Sequence, residues 1–155
     1  MTTNPITQVV NLLKNNWNAG NARDITPSIT EVIKEKRVPL DTGHPCLIVI
    51  YSTSTYKEEY IDFRRDYSRR FYPLQVDIRY AVPTNMTFDA GLLDFYAVFD
   101  EVRRILQTNR KTPGAEFTHI YFGGPNDLSN KSTRLLRFVI SVELREIVAT
   151  PSQWD

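Results

Sequence analysis

The first periodic run of apolar positions is Ile6, Val9, Val10, Leu12, Leu13 and Trp17, spaced to fall on one side of a helix. Pro5 suits the first helical position and Asn4 the cap, so the spacing predicts a helix from there to Trp17. The small polar run Asn18-Ala19-Gly20-Asn21-Ala22 ends it and reads as an exposed loop. Residues 26–36, around Thr26-Pro27, are too short for their period to choose between a helix and an edge strand. Leu47-Ile48-Val49-Ile50-Tyr51 is apolar on both faces and bounded by turn formers, which predicts a central buried strand. Leu74, Val76, Ile78, Tyr80 and Val82 alternate with Gln75, Asp77, Arg79 and Ala81, the period of a strand with one face in the core.

Phe88, Leu92, Phe95, Phe99, Val102 and Leu106 then step by three and four, with Leu93, Tyr96, Val98 and Ile105 widening the stripe. This predicts the main helix, closed by Thr112-Pro113-Gly114. Residues 117–122 read as a further strand, and 123–130, with Gly123-Gly124-Pro125, as a turn-rich hairpin loop. Leu136, Phe138, Ile140, Val142, Leu144 and Val148 alternate with polar residues over a last strand of about fifteen residues. The resulting expectation is an α+β fold: a single mixed, mainly antiparallel sheet packed against one long helix and an N-terminal helix, with an extended C-terminal hairpin. Residues 1–150 form the one domain and 151–155 a flexible C-terminal tail. A length of 155 residues suits a single core.

Composition changes this picture little. Nineteen basic against eighteen acidic side chains leave a net charge of +1, which argues against a dedicated nucleic-acid binder with its basic excess. No apolar run is long enough to span a membrane, and the first residues lack the layout of a secretion signal, so no membrane partner is expected. Cys46 is the one cysteine, and with only His44 and His119 beside it a cysteine/histidine zinc site is excluded.

Candidate chemistry is sparse. A Cys46 and His119 nucleophilic pair is weighed against a buried structural cysteine and hydrogen-bonded histidines, and the structural reading is preferred. Glu58, Glu59, Asp62, Asp66 and Asp77 are the acidic groups with which a metal-dependent nuclease would work. Alternation, however, places Asp77 and Arg79 on one strand face, where an ion pair serves as well. Gly123-Gly124-Pro125 lacks the lysine and strand-to-helix context of a phosphate loop. No catalytic residue, metal ligand or cofactor is assigned.

The last strand raises a different possibility. A chain of this length packs into a body roughly 38 Å across, whereas about fifteen extended residues span near 50 Å. If unbroken, the strand is expected to overshoot its own domain and to be covered by neighbouring copies; a bulge that folds it back is the competing reading. The candidate contact residues come from three places. Tyr60, Phe63, Arg64, Arg65, Arg69, Arg70 and Phe71 lie in or beside the mixed-sign segment 57–70; Asn126 and Asp127 lie in the glycine-rich loop; Asp77, Arg79, Arg137, Glu143 and Arg145 lie on strands.

The order of these elements resembles the tail-terminator or tail-completion proteins of long-tailed bacteriophages and related viruses. The similarity is one of layout, from the amphipathic helix ending in Trp17 through the Val76-Asp77-Ile78-Arg79 strand and the long helix to the strand 135–148. It carries over no functional residue by motif. The resemblance implies a non-enzymatic virion protein: a homo-oligomeric ring, commonly of six copies, that terminates the tail tube and docks it to the head connector. Its implied partners are its own copies, the tail tube protein and the head connector or neck protein. DNA would pass through the channel without sequence-specific binding. The location implied is the virion tail or neck, after assembly in the host cytoplasm. Three alternatives stand beside it: a small metal-dependent nuclease or other nucleic-acid-processing enzyme using Asp77, a head-side neck protein, and a small adaptor of a cellular complex.

Overall fold

Local chemistry starts each helix. Helix α1 (Pro5–Asn16) is capped by Asn4, whose Oδ1 accepts from the Ile6 N–H at 2.9 Å. Helix α2 (Phe88–Thr108) is capped by Thr87, whose hydroxyl accepts from the Ala90 N–H at 3.2 Å. The strands are β1 (Ser28–Val32), β2 (Cys46–Ser52), β3 (Lys57–Tyr60), β4 (Tyr67–Ala81), β5 (His119–Asp127) and β6 (Leu135–Ala149). These elements come from a computed structural model that describes residues 4–32, 45–52, 57–61, 67–111, 113, 117 and 119–149.

The fold is α+β: two helices and one six-stranded, mainly antiparallel mixed sheet of order β1-β2-β4-β6-β5, with β3 added beside β4. The ambiguous stretch after Pro27 is a strand, β1, parallel to β2. Leu47 to Ile50 are all buried, so β2 is covered on both faces, Leu47 and Val49 lying on the face away from the helices. Even-numbered positions of β2, β4 and β6 share one face, where Ile48, Ile78, Val76, Ile140, Val142 and Leu144 meet Leu13, Phe95, Val102 and Ile105 of the helices in the core. Of the expected helical stripe, Leu93 and Tyr96 instead lie at the rim of α2 and are exposed.

Three differences from the sequence reading have physical causes. First, β4 begins at Tyr67, seven residues before the apolar alternation starts, so Tyr67 to Arg70 belong to a strand. Pro73 conceals this. Its carbonyl accepts from the Ser52 hydroxyl at 3.2 Å, so its nitrogen points to the same side, where β2 has stopped pairing at Leu74 and β3 starts only at Phe71. Among the described residues no strand lies there to take a ladder donor, and a central strand tolerates proline at such a place. Second, Gly123-Gly124-Pro125 is a β-bulge inside the edge strand β5: Phe122 pairs with Val142 and Pro125 with Ile140, leaving one extra residue. Asn126 and Asp127 are thus strand residues opposite Val139 and Phe138. The reversal comes at residues 131–134, where Asn130 Oδ1 accepts from the Ser132 N–H at 3.0 Å.

The third difference concerns the long last strand. Its fifteen residues find their partner within the chain, because β4 is equally long and pairs with it from Tyr67 opposite Ala149 to Ala81 opposite Leu135. Neighbouring copies are not required to satisfy that edge. On its other side β6 pairs with β5 from Phe138 to Arg145. Among the described residues, the stretch from Glu146 onward has no strand on that side, and Leu135 to Arg137 meet residues 128–130, just before the turn, instead.

Tight packing joins the layers at Gly91, which is buried where α2 meets the chain leaving β4. A Cβ there would lie 2.6 Å and 2.7 Å from the two Val82 methyls. Gly91→Ala is therefore expected to lower stability in urea unfolding by about 1–3 kcal/mol, and Val82→Ala in the same chain to recover part of the loss.

Burial also shapes the alkaline limit. It pushes the Cys46 thiol up to about 12 and, helped by the Asp94 carboxylate, the Tyr80 hydroxyl up to about 12. Burial and the hydrogen bond to Glu146 likewise raise the Tyr72 phenol. Their ordinary values are 9.0 for the thiol and 10.0 for the phenols, so the unfolded chain releases these protons before the folded chain does. Stability is expected to hold below pH 9 and to fall as the pH rises to about 12, with a shallower fall in a Cys46→Ala, Tyr80→Phe double variant. Urea midpoints measured across that range check this.

Candidate assembly surface

Alternation leaves the odd positions of β4 and β6 on the face opposite the helices, and the ladder sets them side by side. Arg79 lies directly across from Arg137, Phe71 from Arg145, and on β5 Tyr121 from Glu143 and His119 from Arg145. Eight of the contact residues expected from sequence share this face: Arg69, Phe71, Asp77, Arg79, Asn126, Arg137, Glu143 and Arg145. Tyr60, Arg70 and Asp127 belong to the helix-side face, and Asp127 Oδ1 is engaged by the Ser129 N–H at 2.9 Å in the turn. Phe63, Arg64 and Arg65, like the tail residues 151–155, lie outside the described residues.

At the middle of the face Asp77 is fully buried. Its Oδ1 accepts from Arg137 Nε at 3.0 Å, and its Oδ2 from Arg137 Nη2 at 2.8 Å and Arg79 Nη2 at 2.9 Å. A two-pronged guanidinium on a carboxylate is among the stronger polar contacts available in a protein. The Asp77 hydrogen bonds, acting against burial, raise the Arg137 pKa above its ordinary value. Both carboxylate oxygens are thus taken by arginines, which is ion-pair geometry rather than that of a metal ligand. Among the described residues, no three His, Cys, Asp or Glu side chains converge.

Toward the far end of the sheet the face becomes aromatic. The Arg145 guanidinium stacks 3.7 Å from the Tyr121 ring centre and 4.9 Å from that of Phe71, while its Nε donates to Glu143 at 2.9 Å. Arg69, His119 and Ile147 join Tyr121 and Arg145 around a shallow depression of about 230 Å³. Tyr67 is 52% exposed and Ile147 49%, and across the ribbon end Tyr60 and Ile61 are 51% and 45% exposed. Tyr121, His119, Tyr67 and Ile147 are absent from the residues expected from sequence. Their pairing with Arg69 and Arg145 depends on the register, which no local pattern displays.

Cys46 and His119 do not meet. Cys46 opens β2 opposite Tyr80 on the helix-side face, and His119 opens β5 at the other end of the sheet, exposed. No protein-family model and no curated protein matches the chain.

Removing the Asp77 carboxylate strands two guanidiniums beside each other. Asp77→Ala is expected to cost about 3 kcal/mol in urea unfolding, and Asp77→Asn, which keeps an acceptor, distinctly less. Equal losses in the two variants would contradict the assignment.

Proposed function

We propose that this chain is a non-enzymatic structural subunit that assembles with copies of itself through the far end of its sheet. Following its resemblance in layout to tail-terminator proteins, the assembly is a ring at the head-tail junction of a long-tailed virus, where it ends the tail tube and meets the head connector. The observation that supports this most is the ribbon end, where Tyr60, Ile61, Tyr67 and Ile147 are all close to half exposed. Single exposed apolar residues are ordinary; Tyr67 and Ile147 on one face of the ribbon end, with Tyr60 on the other and Ile61 beside it, support a contact surface that wraps this end. Arginine on aromatic rings beside them is the composition enriched in interface cores. The nuclease alternative rests on Asp77, whose oxygens face Arg79 and Arg137.

Ring formation follows from a surface of this kind if each copy presents it to a different surface on the next, since such contacts close only at a fixed copy number. Termination then means that the face turned away from the tube offers nothing for another tube ring to match. Sedimentation velocity and negative-stain imaging test the reading. The wild-type chain is expected to form a closed multimer or to bind tube ends, and Tyr67→Glu with Ile147→Glu to give a folded monomer of unchanged circular dichroism. A wild-type chain that stays monomeric at micromolar concentration and does not join tail tubes overturns it.

A further inference from the structure

A cleft between α2 and the bulged part of β5 lies apart from the surface above. Its floor is apolar, formed by Phe99, Phe122 and Ile140. One wall carries the exposed Arg103, with which no carboxylate of the described residues forms an ion pair. The other wall is Gly123-Gly124, and the space between holds about 220 Å³. A Cβ on either glycine would meet no heavy atom within 4 Å. Packing inside this molecule therefore gives no reason for the wall to be bare. Bare backbone does let a second backbone approach closely.

The matching ligand is a peptide with a large aromatic side chain for the floor and a neighbouring carboxylate for Arg103. After β6 the sequence continues Thr150-Pro151-Ser152-Gln153-Trp154-Asp155, and Trp154-Asp155 has this chemistry. From Ala149 to Trp154 an extended chain covers at most about 18 Å and would first have to reverse direction. The nearest floor residue, Phe122 opposite Val142, lies back along β6 by roughly 23 Å, which favours a neighbouring copy as the host.

We propose that residues 150–155 of one copy seat in this cleft on the next copy, with Trp154 on the apolar floor and Asp155 against Arg103. This rests on the self-assembly reading above and gives it a direction. The segment follows directly from the ribbon end, and the cleft lies elsewhere on the subunit, so the contact runs head to tail and each copy both inserts and receives.

The test is a fluorescently labelled, C-terminally amidated peptide of residues 149–155, titrated by anisotropy into the full chain carrying Trp154→Ala. Saturable binding is expected, weakened by about tenfold or more in Arg103→Glu and in Gly124→Leu. A peptide with Asp155→Lys is expected to recover affinity for the Arg103→Glu chain. Gly124→Leu fills open space rather than displacing a neighbour, and its circular dichroism should match the parent. No saturable binding, or binding indifferent to both substitutions, overturns the proposal. Sedimentation of the full chain separates the two readings. A wild type that assembles equally well with Gly124→Leu and Trp154→Ala overturns the cleft alone; a wild type that stays monomeric overturns assembly, and the seating between copies with it.

Discussion

The ladder between β4 and β6 is the constraint on which the rest of the molecule depends. Each strand has fifteen residues and each is the other's partner from end to end. Because side chains alternate, that single register assigns every residue of both strands to the helix side or the open side. A slip of one position would turn Arg137 and Arg145 into the core and Ile140 and Val142 out of it. The buried Asp77 meets Arg137 only in the observed register, so the charges discriminate against the slip as well as contributing attraction.

Much of the fold was legible where a pattern is local. The caps and stripes of α1 and α2, the wholly apolar run of β2 and the alternation of β6 need only neighbouring residues to be read. The first half of β4 was not legible, because Pro73 and the charges before it look like a loop until β3 is known to resume where β2 ends. The glycines of β5 misled for a related reason: a bulge and a turn use the same residues, and only the partner strand tells them apart. The candidate surface follows the same rule. Asp77 and Arg79 could be placed on one face from spacing, but the stacking of Arg145 on Tyr121 and Phe71 depends on pairings across three strands.

The sheet treats its two ends and edges differently. Along β5 the bulge and Pro125 interrupt the row of donors that another strand would use, which guards this border against chance pairing. Beyond Arg145 the far end has no comparable interruption on β6, and it carries the exposed Ile147 and Tyr67. Interrupting one border in this way limits indefinite edge-to-edge stacking.

Pro73 has a mechanical side. At that level, among the described residues, no strand flanks β4 on the side of β2 and β3, and the strands bonded across are β4, β6 and β5. Resistance to twisting depends on how many strands are bonded across, so torque applied to the far end is absorbed at this waist before it reaches the helices. The outer segment of the ribbon can then change pitch while the core keeps its shape.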